Sequence, residues 1–283
     1  MSLVPVSTEF LPAGFSLGAV FVWGTSDFLG GYAARRSNAF LFTTIVHLSG
    51  LILMLGVAVA CHSPFPSRNG VAWAMAAGLS GGAGLAVFYR ALASGRMGLT
   101  APVAAVLSAA IPTVFGIFTE GIPHAVQVAG FVLAATGIWL ISRPEDGSRP
   151  EGIGAAVFAG TCFAGYYLFT KQAGDNSAVW LAAMSRVASF IVTAAIVVLG
   201  RNYQITSEGI GIGVVAGILD ISGSVMFIRA AQTGRLDAAV VISSLYPAVT
   251  VFLARLFLKE HFTRWKAVGM FAALLAVPLV AGR

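Results

Sequence analysis

The chain has few charged side chains, and this scarcity excludes most classes of soluble protein. Asp, Glu, Lys and Arg together make up 10% of its 283 residues, whereas a soluble domain carries about 25%. Hydrophobic residues make up 58%, and the mean hydropathy is +0.87. Such a composition is typical of membrane-spanning helices, because about 20 apolar residues cross a hydrocarbon core of about 30 Å. It therefore predicts an all-α integral membrane protein.

Cysteine is also nearly absent. The two cysteines, Cys61 and Cys162, fall in or at the edge of apolar segments, where a cysteine usually serves as a small buried hydrophobe. The sequence contains neither a disulfide framework nor the Cys and His spacing of a zinc site. We therefore expect no metal and no cofactor. Since the net charge of +6 comes from scattered basic residues, no nucleic-acid partner is expected either.

The apolar runs predict ten membrane-spanning helices. The segments between them are short and contain turn-forming or charged residues, such as "HSPFPSRN" and "RPEDGSRP". The N-terminal segment, residues 1–13, contains no Lys or Arg and so lacks the charged region that begins a cleaved signal peptide; we therefore expect the stretch from Gly14 onward to be a retained first helix. The predicted spans are 14–34, 39–61, 70–94, 97–119, 123–142, 152–171, 178–200, 207–233, 236–258 and 262–281.

An internal repeat organises these spans. The phrase "FYRALASGR" returns 139 residues later as "FIRAAQTGR", and several glycines match at the same offset. We interpret 14–142 and 152–283 as two copies of a five-helix repeat, joined by a linker at 143–151. An odd number of spans makes the second copy enter the membrane from the opposite side, so the repeats are predicted to be inverted. Inverted repeats are common in secondary transporters.

Glycine spacing indicates close packing of the third helix in each repeat. Gly78 and Gly82 are four residues apart in the first copy, as are Gly213 and Gly217 in the second. Small residues at this spacing let two helix backbones approach each other. We therefore expect these helices to be packing elements on which the repeats pivot.

Away from the helix ends, four ionisable residues fall inside predicted spans, where they are costly unless they face a bundle interior or a wet cavity. They are Asp27, His47, Arg186 and Asp220. His47 and Arg186 are separated by the repeat offset of 139, so they occupy equivalent positions. We expect both to face a central cavity, in which Arg186 either binds an anionic group of a substrate or pairs with Asp220 or a helix carbonyl.

The two aspartates and nearby aromatic residues complete the predicted substrate site. Asp27 or Asp220 could bind an amine, carry a proton, or neutralise a neighbouring cation. Tyr166 and Tyr246 lie near these positions and are interpreted as pocket-lining residues, the alternative being anchors at the membrane interface. Substrate engaging Arg186 would loosen its hold on Asp220 and favour proton binding there, so protons are a predicted coupling ion.

The chain resembles the EamA-type transporters of the drug/metabolite transporter superfamily. The resemblance rests on the two five-helix repeats, on "FYRALASGRMGLTAPVAAVL" and its copy, and on "SSLYPAVTVFLARLFLKEHFTRWKAVGMFAALLAVPLV". It implies export or exchange of small metabolites, often amino acids, without a covalent cofactor. The first copy departs from the pattern, since Pro247 falls opposite Ser108 and Pro112 lies four residues later.

These features predict a transporter rather than an enzyme, with a small-molecule substrate and lipid as its partners, in the cell (inner) membrane. The solute would be amino-acid-like or amphipathic, the alternative being a sugar or a drug. A different class is an intramembrane serine hydrolase, because "GLSG" places Ser80 in a GxSG pattern with His47 as a candidate base. No ring of acidic residues or filter-like loop favours a channel.

Overall fold

The computed structural model describes residues 10–93, 97–142, 153–258 and 263–281, and these are almost entirely helical. The linker predicted at 143–151 and most of the N-terminal segment lie outside the described residues. The described helices are α1 (Leu11–Ala33), α2 (Ala39–Ala60), α3 (Arg68–Ala93), α4 (Met97–Glu120), α5 (Ala125–Ser142), α6 (Ile153–Gln172), α7 (Ala178–Gly200), α8 (Ser207–Thr233), α9 (Leu236–Ser243), α10 (Tyr246–Leu258) and α11 (Arg264–Ala281).

Several of these helices are long and apolar enough to cross a membrane. Among the described residues, five stretches meet both conditions: Ala39–Ala60, Arg68–Ala91, Ala178–Gly200, Ser207–Thr233 and Leu236–Phe257. Shorter apolar helical stretches cover Ala104–Thr119 and Ala125–Leu140. The all-helical prediction is thus confirmed for the described part of the chain, and half of the ten predicted spans meet the full length and hydropathy conditions.

The stretch predicted as one ninth helix consists of two helices. α9 ends at Ser243, and a turn at Ser244 and Leu245 separates it from α10. Pro247 explains the break, because proline has no N–H to donate to the carbonyl four residues earlier and restricts the residue before it. The equivalent helix of the first repeat, α4, runs without a break from Met97 to Glu120.

The two repeats interlock instead of packing side by side. α1 packs along α8, and its repeat equivalent α6 packs along α3. In the same way α2 packs on α8 while α7 packs on α3, and α4 packs on α6 while α9 and α10 pack on α1. α2 pairs with α7, and α5 pairs with α11. The main helix contacts therefore map onto each other when the two repeats are exchanged.

Two glycines, one in each repeat, make equivalent close contacts with a neighbouring helix. Gly78 of α3 lies against α7, where an added Cβ would overlap the carbonyl oxygen of Ser185. Gly217, its equivalent on α8, lies against α2, where an added Cβ would overlap the carbonyl oxygen of Val46. Ser185 and Val46 are themselves 139 residues apart. The close helix packing predicted from the glycine spacing is confirmed at both positions.

The repeated phrase of the sequence also occupies equivalent places in the fold. Phe88 and Phe227 are buried in the core, with relative exposures of 1% and 0%. Arg90 and Arg229 follow two residues later, near the ends of α3 and α8, and both are exposed. Arg90 lies over the ring of Phe40, with its Cζ atom 5.7 Å from the ring centroid. The phrase thus combines a buried aromatic residue with an exposed cation at a helix end.

Candidate functional site

A cavity lies between the two repeats and is lined by residues of both. Its empty volume is about 550 Å³, a value that includes the part open to solvent. About 60 Å³ of this volume can hold the centre of a water molecule. That free space corresponds to a few waters, so the cavity is narrow in this conformation. The lining residues are Trp23, Asp27, Gly81, Leu85, Phe163, Tyr166, Tyr167, Arg186, Ser189, Asp220, Ser224 and Tyr246.

Arg186 is the hub of the polar contacts in this cavity. Its Nη2 atom lies 2.6 Å from Asp220 Oδ2 and donates a hydrogen bond to Ser224 Oγ at 2.7 Å. Asp220 and Ser224 are one helical turn apart on α8, so they share a face of that helix. The Ser224 hydroxyl in turn donates to the Asp220 backbone carbonyl at 3.1 Å. A buried guanidinium is therefore paired with a buried carboxylate, as burial of charge requires.

The second terminal nitrogen of Arg186 contacts His47 and fixes its charge state. Arg186 Nη1 lies 3.1 Å from His47 Nδ1. A guanidinium can only donate hydrogen bonds, so His47 Nδ1 must be the acceptor and the ring proton must lie on Nε2. His47 is therefore neutral in this arrangement, and it is completely buried.

Asp27 is the second carboxylate of the cavity, and its surroundings differ from those of Asp220. The Tyr89 hydroxyl donates a hydrogen bond to Asp27 Oδ1 at 3.3 Å. It is the one hydrogen bond that the Asp27 side chain makes within the described part of the chain. Tyr89 is fully buried on α3 and packs against Phe42 and Phe88. Asp27 therefore has a neutral partner, whereas Asp220 has a cationic one.

Aromatic residues form much of the remaining wall. The ring of Trp23 lies 6.1 Å from that of Tyr167, measured between centroids, and Tyr166 and Tyr167 pack edge to face at 5.7 Å. Trp23 Nε1 donates to the Asp220 backbone carbonyl at 3.0 Å, which ties α1 to α8. The hydroxyls of Tyr166 and Tyr246 are buried and have no hydrogen-bond partner among the described residues. Buried hydroxyls of this kind are available to a ligand or to water.

Several lining residues occupy equivalent positions of the two repeats. Gly81 and Asp220 are related by the offset of 139, and so are Leu85 and Ser224. In the first helix of each repeat the offset is 136, and it relates Asp27 to Phe163. The cavity therefore lies where the equivalent helices of the two repeats meet. Where one residue of such a pair is charged, however, the other is not: Asp220 corresponds to Gly81, and Asp27 corresponds to Phe163.

The sequence profile of the EamA-like transporter family matches residues 11–143 and 150–282, one match to each predicted repeat. The chain belongs to the EamA-like transporter family. The resemblance to EamA-type members of the drug/metabolite transporter superfamily is thereby confirmed. The chain is an integral membrane protein, and its family indicates a transporter of small molecules rather than an enzyme.

Two other proteins are similar to this EamA-like chain. An uncharacterized protein of Methanocaldococcus jannaschii is 25% identical over 131 residues, which cover 44% of this chain and 96% of that protein. The aligned stretch is about as long as one repeat. The crystal structure of another protein superposes with a TM-score of 0.78 at 17% identity, and the superposition covers 95% of this chain and 97% of that chain. That likeness shows a shared fold.

In this EamA-like protein, the cavity brings together most of the residues predicted as a substrate site. Arg186, Asp220, Asp27, Tyr166 and Tyr246 all line it. His47 does not, because it lies behind the Arg186 guanidinium. Their roles in binding a substrate stay predictions.

Two contacts in the cavity were missed by the sequence reasoning, although each has a signal. Ser224 follows Asp220 by one helical turn, which places it on the same face of α8. Tyr89 interrupts the repeated phrase, since its equivalent in the second repeat is Ile228. A polar residue that replaces an apolar one between two copies indicates a specific partner, and here that partner is Asp27.

The residues proposed for a serine hydrolase have other partners. The Ser80 hydroxyl donates to the carbonyl of Cys162 at 2.7 Å, which joins α3 to α6. The Nδ1 atom of His47 accepts a hydrogen bond from Arg186. A serine nucleophile must instead have its hydroxyl within hydrogen-bond reach of a base. The contacts of Ser80 and His47 therefore give no support to hydrolysis.

Proposed function

We propose that this EamA-like protein is a secondary transporter that exports or exchanges small amino-acid-like or amphipathic solutes. It acts in the cell (inner) membrane by alternating access around the central cavity. The observation that carries this proposal is the lining of that cavity, which combines the Arg186 and Asp220 pair, Asp27, and aromatic rings contributed by both repeats. A site that binds a solute needs such a mixture of an apolar wall and a few placed polar groups.

We further propose that the two repeats are inverted and rock about the cavity. Each predicted repeat contains five spans, so a second copy starts on the opposite side of the membrane from the first. Gly78 contacts Ser185, and the equivalent glycine, Gly217, contacts Val46. This exchange of contacts supports a two-fold relation between the repeats. In such folds a substrate site near the midplane opens alternately to the two sides.

Proton exchange is the energy coupling that fits the cavity best. Arg186 belongs to α7 and Asp220 to α8, so a relative movement of these helices changes the separation of the two charges. A carboxylate binds a proton more readily when its cationic partner moves away. The proton affinity of Asp220 would then depend on conformation, which is what exchange of a solute against protons requires.

A sugar or drug transporter of the same fold is the second candidate. The aromatic residues Trp23, Tyr166 and Tyr246 favour it, because flat rings provide an apolar wall against which sugars and drugs both pack. The orphaned hydroxyls of Tyr166 and Tyr246 could also bind sugar hydroxyl groups.

Counterflow in liposomes tests the proposed function. The purified protein is reconstituted and loaded separately with members of a panel of amino acids, sugars and amphipathic drugs, and entry of the same labelled solute is measured. We expect saturable uptake that is accelerated by solute on the opposite side for one class of the panel. A flux that rises linearly with concentration and shows no counterflow would identify a pore instead. Ser80→Ala should transport at the normal rate, whereas loss of activity in that variant would favour the hydrolase.

A further inference from the structure

We propose that the cavity selects an organic cation, namely an amine or quaternary ammonium that carries an aromatic or apolar group, and that Asp27 binds its charge. The proposal rests on the proposed function, because it names the substrate class of the same cavity. Its starting point is the balance of charge around the cavity. Among the described residues, the cavity is lined by one guanidinium, that of Arg186, and by two carboxyl groups, those of Asp27 and Asp220, while the neutral imidazole of His47 lies behind Arg186.

Arg186, the cation among the described lining residues, is already engaged on both of its terminal nitrogens. Arg186 Nη2 contacts the carboxylate of Asp220 and the hydroxyl of Ser224, while Nη1 donates to His47. A planar guanidinium binds a carboxylate or phosphate best through two parallel N–H groups. Arg186 Nε has no hydrogen-bond partner among the described residues, but every pair of parallel N–H groups includes Nη2. An anionic substrate bound in this way would have to displace Asp220 or Ser224 from Nη2, and displacing Asp220 would leave a buried carboxylate without its counter-ion.

Asp27 is the carboxyl group of the cavity that has no cationic partner among the described residues. Its hydrogen bond in the described part of the chain comes from the neutral hydroxyl of Tyr89, over a long 3.3 Å. His47 does not supply a positive charge, because its Nδ1 accepts from Arg186. A buried carboxylate that faces a cavity without a cationic partner is unfavourable. A cationic ligand removes this cost by supplying the missing partner.

The walls around Asp27 suit the rest of such a ligand. Trp23 lies one helical turn before Asp27 on α1, and both line the cavity together with Tyr167 and Tyr246. Aromatic rings attract cations through the negative charge of their faces, and Trp is the strongest of them. At the position equivalent to Asp27, the second repeat has the apolar ring of Phe163. The cavity thus has a charged side for an ammonium group and an aromatic side for an apolar group.

Three compounds with one shared ring test the proposal. Phenethylamine is phenylalanine without its carboxylate, and 3-phenylpropanoate is phenylalanine without its amine, so the series runs from cation through zwitterion to anion near pH 7. Binding of each labelled compound to the purified full-length protein is measured by equilibrium dialysis. We expect phenethylamine to bind at least about tenfold more tightly than the other two, which corresponds to about 1.4 kcal/mol. 3-Phenylpropanoate lacks the ammonium group that pairs with Asp27, and phenylalanine adds a carboxylate that would have to compete with Asp220 for Arg186.

Asp27→Asn isolates the charge that the proposal invokes, since it keeps the shape of the side chain. We expect it to weaken phenethylamine binding about tenfold or more, while Asp27→Glu retains a preference for the cation. Asp175→Asn, which removes a carboxylate from an exposed loop, should bind phenethylamine like the unaltered protein. Thermal melting of each variant in detergent checks that it is folded. If Asp27→Asn does not fold, Asp27→Glu together with the three-compound series still decides between cation and anion.

The outcomes separate this proposal from the proposed function. Preferential binding of phenylalanine or 3-phenylpropanoate, binding of none of the three compounds, or unchanged phenethylamine binding in Asp27→Asn would overturn the cation proposal. The protein would still be a transporter if another solute shows saturable counterflow. Conversely, phenethylamine binding that depends on Asp27, without counterflow of any solute, would support the cation site and contradict transport.

Discussion

At the scale of single residues, Asp220 is the carboxylate on which the proposed proton coupling depends. Its carboxylate lies 2.6 Å from the Arg186 guanidinium. Asp220→Asn keeps the shape and an acceptor for Arg186 but removes the group that titrates. We therefore expect this variant to lose transport driven by a pH gradient while keeping counterflow of the same solute. Both rates are measured in liposomes, with a melting curve as the check on folding.

The contrary result would have a definite meaning. If the pH gradient still drives transport in Asp220→Asn, Asp220 does not carry the proton, and the contact with Arg186 only holds α7 and α8 together. Asp27 would then be the remaining carboxylate of the cavity to test. If counterflow is lost as well, the ion pair is needed for binding or folding and the proposed coupling is not supported.

Sequence reasoning located the charged residues of the site better than their partners. The offset of 139 residues between His47 and Arg186 led to the prediction that both face the cavity, and only Arg186 is among its described lining residues, with its Nη1 atom 3.1 Å from His47 Nδ1. It was not enough to predict that His47 lies behind Arg186, away from the cavity, because spacing gives a position along a helix but not the rotation of a neighbouring helix. The contact of Tyr89 with Asp27 joins α3 to α1, and such contacts depend on the final packing angle.

At the level of helices, glycine sets how closely the repeats approach. A Cβ at Gly78 would overlap the Ser185 carbonyl on α7, whereas a Cβ at Gly56 on α2 would meet nothing within 4 Å. We expect Gly78→Ala to lower the free energy of unfolding by about 1–3 kcal/mol, as overpacked sites do. Gly56→Ala should be neutral or stabilising by up to about 1 kcal/mol, because alanine favours a helix. Melting in detergent measures both, and equal stability of the two variants would contradict close packing at Gly78.

The helices themselves were largely predictable, and the exception has a physical reason. Long apolar runs specify membrane helices because every backbone group must find its partner within the segment. This rule gives no sign of a break such as that between α9 and α10, because the stretch Leu236–Phe257 as a whole has the length and hydropathy of a single span. Pro247 was visible in the sequence, but prolines are tolerated in membrane helices. The break before Pro247 is accompanied by tertiary contacts that spacing along the chain does not reveal, such as the Thr250 hydroxyl donating to Gly24 O at 3.0 Å.

At the scale of the whole molecule, the helix packing is similar in the two repeats, but the residues that line the cavity differ between them. The lining positions of α3 and α8 are related by the repeat offset, yet Asp220 corresponds to Gly81 and Ser224 corresponds to Leu85. The helix packing is therefore similar in the two repeats, whereas the charged lining residues are not, since Arg186 and Asp220 belong to the second repeat and Asp27 to the first. In the proposed transport cycle, movement would depend on the matched packing surfaces and binding on these few charged residues.

Leu85 and Ser224 provide the test of alternating access, because they are equivalent positions on α3 and α8 that face the same cavity. In a protein whose Cys61 and Cys162 are replaced by alanine, a cysteine is introduced at either position and labelled in liposomes with a membrane-impermeant thiol reagent. A solute gradient that favours one state should permit labelling from one side, and reversing the gradient should move labelling to the other side. A cysteine at the exposed position of Asp175 should be labelled from one side regardless of the gradient. Labelling of Leu85→Cys and Ser224→Cys from both sides at rates that ignore the gradient would indicate an open pore, and the rocking of two repeats about the cavity would have to be abandoned.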